Sequence, residues 1–149
     1  MESFCPPACP CNGTDPGPAP FVTPLARASL RNQNFRTVVW TGSQLQLTVM
    51  CIPVCGEIGL EIHPDTDQLI RVEDGQALVR MGKDREASAF QRRIGTGDAV
   101  LVPCGTWHNV INTGNRPLKL SSLYAPPHHP KGTIHRTKAD AEHEEQPGW

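Results

Sequence analysis

The stretch Gly97-Asp98-Ala99-Val100-Leu101-Val102-Pro103-Cys104-Gly105-Thr106-Trp107-His108-Asn109-Val110-Ile111-Asn112 decides how this chain is read. It opens on a Gly-Asp turn, runs through four apolar residues, breaks at Pro103-Cys104-Gly105 and resumes as a second short segment ending at Asn112. Glycine at a turn supplies backbone angles that side chains resist, and proline ends strand pairing because it has no N–H to give. The pattern predicts strand, turn, strand, with His108 near the second strand.

The same grammar extends outward in both directions. Segments Phe35–Thr41, Gln44–Ile52, Gly59–His63, Gln68–Val72, Ala77–Met81, Ala89–Ile94, Ala99–Val102, Asn109–Asn112 and Leu118–Tyr124 are short and β-branched or alternating. Gly or Pro marks most of the gaps between them, as at Thr41-Gly42, Asp74-Gly75, Gly95-Thr96-Gly97 and Thr113-Gly114-Asn115. Short strands with turn signals every 8–12 residues or so predict an all-β sandwich or small antiparallel barrel. Only Thr137–Glu145 reads as a helix, with Thr137 as N-cap and Asp140 three residues later. The 15 prolines and 13 glycines scattered through the chain argue against anything richer in helix. Residues 1–20 hold six prolines and almost no branched apolar residue, so they predict an extended Pro/Cys-rich arm. A barrel domain over 21–127 and a C-terminal tail over 128–149 carrying the short helix complete the expected organisation.

Charge removes several classes of function. Lys and Arg number 14 against 15 Asp and Glu, which leaves no basic excess for displacing counterions from nucleic acid. No apolar run approaches the roughly 20 residues that a membrane helix needs. The opening Met1-Glu2-Ser3-Phe4-Cys5-Pro6-Pro7 has neither the basic nor the apolar portion of a secretory signal. The expectation is a cytoplasmic protein with a small-molecule ligand and neither nucleic acid nor membrane as partner. All six cysteines are then expected to be reduced.

Chemistry gathers on four residues. Glu61 and His63 lie two apart on a predicted strand, so both side chains point to one face. Gln68 follows the short link Pro64-Asp65-Thr66-Asp67, where the chain can turn back beside that strand, and His108 arrives from the stretch quoted above. Two imidazoles, a carboxylate and an amide oxygen make a mixed nitrogen and oxygen site suited to one divalent transition metal: Fe, Mn, Zn or Ni. The plainer alternative is that Glu61 and Gln68 only satisfy polar groups at a barrel mouth.

At these residues a resemblance enters. Gly97-x5-Pro103-x-Gly105-x2-His108-x3-Asn112 matches the second motif of the cupin family at every fixed position. Glu61-x-His63-x4-Gln68-x6-Gly75 matches the first motif, G-x5-H-x-H-x3,4-E-x6-G, in spacing, with Gly56 one residue late. The chain resembles small single-domain bacterial cupins through Glu57 to Gln68 and the tail from Tyr124-Ala125-Pro126-Pro127 to Glu142, a group commonly labelled mannose-6-phosphate isomerase-like. The resemblance implies a jelly-roll β-barrel of six to eight antiparallel strands with one metal in its mouth, and a homodimer. It also exposes two departures: Glu61 stands where the family has its first histidine, and Gln68 where it has its glutamate. One carboxylate beside a divalent ion leaves +1 in either arrangement, so the negative charge has moved without being lost. The larger cupin-fold phosphomannose isomerases hold zinc with the same four residue types, Gln and Glu being exchanged.

Other residues carry weaker signals. His128, His129 and His135 read first as part of a solvated return segment; the functional reading is a flap over the mouth, with His135 or Lys131 touching substrate. Asp65 and Asp67 read as turn residues before they read as acceptors orienting His63. Trp40, Trp107 and Tyr124 can line a cavity or simply pack. Arg71 has the opposite parity to Gln68 and is expected to face away, and Arg80, Arg92 and Arg93 form no phosphate cluster. Cys51, Cys55 and Cys104 lie beside strands as small hydrophobes, Cys104 four residues before His108. Cys5, Cys9 and Cys11 have spacing unlike a structural zinc site. The function expected is a metal-dependent isomerase or oxygenase acting on a small polar molecule. The alternatives are a non-catalytic small-ligand or sugar-binding module and a structural protein cross-linked through its Cys-rich arm.

Overall fold

The computed structural model describes residues 15–145, so Cys5, Cys9 and Cys11 lie outside the described residues. The β-branched and alternating segments form nine strands: β1 (Arg36–Thr41), β2 (Gln46–Ile52), β3 (Asp67–Asp74), β4 (Gln76–Gly82), β5 (Phe90–Gly95), β6 (Ala99–Val102), β7 (Trp107–Asn112), β8 (Leu118–Ala125) and β9 (Ile134–His135). They make a six-stranded sheet in the order β6-β3-β8-β2-β1-β9 and a three-stranded sheet in the order β5-β4-β7. Every pairing is antiparallel, and the two sheets form a jelly-roll β-barrel.

The strand registers grade the barrel interior from apolar to polar. Leu118 pairs with Ile52, and the row Val72–Leu120–Met50 crosses three strands; these side chains are wholly buried. Ile58, Val79, Val110 and Val100 close the core around them. Two residues further along the same strands the inward row becomes Ile70–Ser122–Thr48, and beyond it Gln68–Tyr124–Gln46. The apolar rows supply the hydrophobic stabilisation, roughly 1.5–3 kcal/mol for each large side chain removed from water. The polar rows leave one half of the barrel available for chemistry.

Residues of the opening stretch act as local fixtures. Gly97 and Gly105 adopt φ of +92° and +73° with open space around them, so the backbone angle rather than crowding favours glycine there. The Asn112 side chain donates to the carbonyls of Ile52, Pro53 and Arg116 and accepts from the Gly114 N–H, tying four points of chain together. Asn109 accepts the Gly59 N–H at 2.9 Å.

Two local expectations need correction. Gly59–His63 is not a continuous strand: its backbone ladder with β7 is reduced to an isolated bridge at Glu61↔His108, with a second just before it at Glu57↔Ile111. Gly59 at φ +105° interrupts the extended path between them. A helix that the periodicity missed, α1 (Leu25–Arg31), precedes β1. It is only seven residues long and its N-cap, Pro24, offers no side-chain cap, so neither a repeating apolar stripe nor a capping residue announces it. It is held instead by Ala28 and Ser29, buried against the sheet. The second helix, α2 (Lys138–Glu145), starts where expected, with Thr137 Oγ1 accepting the Asp140 N–H and Asp140 accepting the Thr137 N–H.

Pro16 to Pro20, the end of the expected arm, is tied to the barrel by its neighbour Asp15, which accepts from the Thr41 N–H and hydroxyl. Trp40 Nε1 donates to the Ala19 carbonyl, so Trp40 serves packing at this edge. Among the described residues, no helix is long and apolar enough to cross a membrane.

Candidate metal centre

The segment Gly56–His63 lies along the free edge of β7 and brings its carboxylate and imidazole to His108. Asn112 N–H bonds Gly56 O, Ile58 N–H bonds Val110 O, and Glu61 and His108 exchange both backbone bonds at 2.9 Å. Gly105 N–H then bonds His63 O, fixing the far end of the segment. The bonding skips from Ile58 to Glu61 at the Gly59 break, but Glu61 and His63, two residues apart beyond it, still bring their side chains to one face. Gln68 reaches the interior differently from the expected turn-back: β3 pairs with β6 and β8, and Gln68 lies between Val102 and Tyr124.

Glu61, His63 and His108 offer ligand atoms within 4.8 Å of one another. Glu61 Oε2 stands 3.3 Å from His63 Nε2 and 3.8 Å from His108 Nε2. Both histidines are buried. His108 Nδ1 lies 2.9 Å from the Thr106 carbonyl, which can only accept, so the proton sits on Nδ1 and the Nε2 lone pair is free.

The residues present fit a metal ion. His63 Nδ1 and Nε2, His108 Nε2 and Gln68 Oε1 are buried polar atoms without a hydrogen-bond partner among the described residues. Native interiors leave few such atoms, because each costs about 1–3 kcal/mol. A divalent cation would satisfy imidazole nitrogens, a carboxylate and an amide oxygen together. Gln68 Nε2 is turned toward Ser122 Oγ at 3.4 Å, which leaves Oε1 as its free end.

Electrostatics favour the ionised carboxylate of Glu61 and the neutral imidazole of His108. Burial pushes the Glu61 carboxyl up, but the close His63 imidazole and the Arg36 guanidinium outweigh it, and the net shift is downward. Burial lowers His108, against the Thr106 carbonyl and Glu61, which raise it. Burial also raises the Tyr124 hydroxyl to about 12.

Arg36, wholly buried on β1, was not among the sequence candidates. Its Nη2 lies 3.8 Å from Glu61 Oε1 and its Nη1 3.2 Å from His135 Nδ1. Since guanidinium only donates, His135 presents its Nδ1 lone pair to Arg36 and its Nε2–H to Glu144 on α2. Arg36 and His135 are register partners of β1 and β9 but stand 99 residues apart in sequence, so no local pattern signals the contact.

The tail is more than a solvated return segment. The His128 ring packs on His63 with centroids 4.2 Å apart, and a cavity of about 270 Å³ is lined by Leu60, Glu61, Ile62, His63, Trp107 and His128. His135 is buried on Arg36 and Lys131 donates to Gly17 O, so neither residue lines this cavity. Asp67 accepts the Cys104 N–H at 2.8 Å, a turn role, and Cys104 is exposed. Arg71 is exposed, as its parity requires.

The histidines make acid stability a test of the packing. Burial lowers His108 and His128, and lowers His129 to about 2. Below the unfolded imidazole value near 6.5, the unfolded chain binds protons that the fold refuses, so stability falls as pH falls. Metal-free protein is expected to lose at most about 1.4 kcal/mol per pH unit for His108 and for His129 below that value, and less for the solvent-screened His128. His129→Gln should flatten the dependence between pH 6 and 4, as read by chemical denaturation. An unchanged slope would place His129 outside the fold's proton linkage.

Comparisons with known proteins agree with this fold. Residues 48–125 match the cupin domain model. Over 127 residues the chain is 55% identical to the uncharacterized protein YrkC of Bacillus subtilis (strain 168), covering 85% of this chain and 68% of YrkC. The crystal structure of BH2720 from Bacillus halodurans superposes with a TM-score of 0.86 at 55% identity, covering 87% of this chain and 98% of that one. Bacillus subtilis oxalate decarboxylase, described with Mn(II) centres, matches with a TM-score of 0.53 at 20% identity over 59% of this chain and 23% of its own, a likeness of fold alone.

Proposed function

This chain belongs to the cupin family, and we propose that it is a divalent-metal-binding cupin whose ion is held by Glu61, His63, Gln68 and His108. The observation that carries the proposal is the convergence of two buried imidazoles and one carboxylate, with His108 Nε2 left without a hydrogen-bond partner among the described residues. Gln68 joins the set through its free amide oxygen. The activity proposed is that of a metal-dependent enzyme on a small polar molecule, of isomerase or oxygenase type. An ion in this donor set would supply Lewis-acid polarisation of a bound oxygen. The residues around it would bind and orient: Trp107 and Leu60 wall the mouth, and Glu61 stays ionised beside Arg36.

The test is metal content followed by turnover. Metal-free protein should take up one equivalent of Mn(II), Fe(II) or Zn(II), and the loaded protein should convert members of a sugar-phosphate or catechol panel. Metal uptake with ligand-induced thermal shifts and no turnover would instead favour a binding module.

The homodimer is also a proposal, and it has a candidate face. Leu101, Leu69, Leu123 and Leu47 are register partners across β6, β3, β8 and β2, forming one apolar row outside the barrel. Leu101 is 70% exposed, and a groove of about 390 Å³ runs beside it. A contiguous row differs from scattered exposed leucines, and a second copy would bury it against itself. Light scattering should find a dimer that Leu101→Lys converts to monomer; a monomeric wild type would refute this pairing.

A further inference from the structure

We infer that helix α2 governs the metal centre through a chain of side chains, Glu144–His135–Arg36, which holds the buried guanidinium off Glu61 and leaves that carboxylate free to ligate; this rests on the metal reading above. Arg36 and His135 are positioning residues in this arrangement, and Glu144 is its outer anchor. Glu61 divides its carboxylate between two sets of neighbours. Oε2 faces the imidazoles of His63 and His108 at 3.3 and 3.8 Å, and Oε1 faces Arg36.

Left to itself, a guanidinium closes on a carboxylate with two parallel hydrogen bonds of about 2.7–2.9 Å. Arg36 stops short of that. Its Nη2 stands 3.8 Å from Glu61 Oε1, beyond hydrogen-bond length, while its Nη1 lies 3.2 Å from His135 Nδ1. Its Nε is buried without a partner among the described residues, so the group has an unmet donor and would gain by moving onto Glu61. The His135 contact holds it back. With Arg36 wholly buried, bulk water is not at hand to replace that contact once it is lost.

Each link of the chain is fixed by its own element. The His135 backbone pairs with Arg36 in register and is pinned on both sides, by Phe35 N–H to Arg136 O and by Val38 N–H to Thr133 O. Its ring orientation comes from α2: Glu144 accepts from Nε2, which leaves the Nδ1 lone pair for Arg36. Glu144 lies three residues beyond Ala141, on the helix face that Ala141 buries in the barrel core. Ala141, the Thr137 cap and the Lys138–Glu57 pair dock the helix without Glu144, whose side chain is 45% exposed. Substitution at Glu144 therefore cuts the chain and leaves α2 in place.

The test uses the full chain titrated with Co(II), whose visible spectrum reports the ligand set. Wild-type stoichiometry is measured first: failure to bind Co(II) overturns the metal reading and this inference together. If Co(II) binds, Glu144→Ala should weaken it about fivefold, less than the roughly 10–100-fold typical of groups bonded directly to a ligand, because Glu144 acts through two intervening residues. The Co(II) bands should move as well, since the released Arg36 draws the Glu61 carboxylate away from the ion. Glu144→Gln, whose amide oxygen still accepts from His135 Nε2, should recover most of the loss. His135→Leu should weaken Co(II) at least about tenfold; if it does not fold, the two Glu144 variants carry the test. A helix that only packs gives a different pattern: Glu144→Ala lowers the melting temperature while Co(II) affinity and spectrum stay as in the wild type. That result overturns the inference alone. Equal losses in Glu144→Ala and Glu144→Gln would assign the effect to net charge and overturn it too.

Discussion

Replacing either His63 or His108 with alanine is expected to abolish stoichiometric binding of a divalent transition metal. Each change removes an imidazole from a buried site where the replacement methyl group donates nothing. Oxygen donors elsewhere in the barrel cannot substitute, because borderline divalent ions depend on nitrogen for affinity. The loss should exceed the roughly 10–100-fold typical of changes one step removed from a ligand. His108→Ala should be the cleaner of the two, since only His108 has its tautomer fixed by a carbonyl, that of Thr106. Calorimetric titration with Zn(II) and Mn(II) reads the effect, and circular dichroism checks that the barrel persists. Unchanged affinity in both variants would return Glu61, His63, Gln68 and His108 to the role of ordinary barrel residues.

Glu61→Gln is expected to be the second large effect, and it should act twice. It removes the carboxylate that stands nearest both imidazoles, so metal binding should fall at least about 100-fold, further than for Gln68→Ala. It also strips the carboxylate beside the buried Arg36, and breaking a buried pair by removing one partner costs about 3–5 kcal/mol. The metal-free variant should therefore melt well below the wild type even though Glu61 and Gln are nearly the same size. Gln68→Ala should weaken the metal only modestly, since water can replace an uncharged amide oxygen, and Gln68→Glu should tighten it. Equal losses for Glu61→Gln and Gln68→Ala would contradict the division of roles between charge and amide.

How much of this was legible in the chain depends on the range of each interaction. Gly97 and Gly105 act through their own backbone angles at turns, so their spacing predicted strand, turn and strand correctly, whereas Asn112 also reaches Ile52 and Pro53, 60 and 59 residues away. Glu61, His63 and His108 were legible because Glu61 and His63 lie two apart beyond the break at Gly59, which leaves both side chains on one face. The strand over 59–63 was over-read for the same reason: alternation of side chains was taken to require a continuous ladder. Helix α1 was missed because seven residues behind an uncapped Pro24 hold too little pattern, and burial of Ala28 and Ser29 supplies the stability instead. Arg36 escaped as a site residue, and His128 read first as part of a solvated return segment with a flap over the mouth as its functional reading, for a different reason. Arg36 meets His135 across 99 residues, and His128 is placed by Gln46 from 82 residues away. Neither separation leaves any periodic trace, and an arginine next to Phe35 in a strand reads as an ordinary surface residue.

A crystal of the protein loaded with Zn(II), measured on both sides of the zinc absorption edge, decides whether the centre exists. One anomalous peak is expected in the barrel mouth, about 2.0–2.1 Å from Nε2 of His63 and His108 and about 2.0–2.2 Å from a Glu61 carboxylate oxygen. No peak at that position, or a peak held only by surface residues such as Cys104 and Asp65, would contradict the assignment.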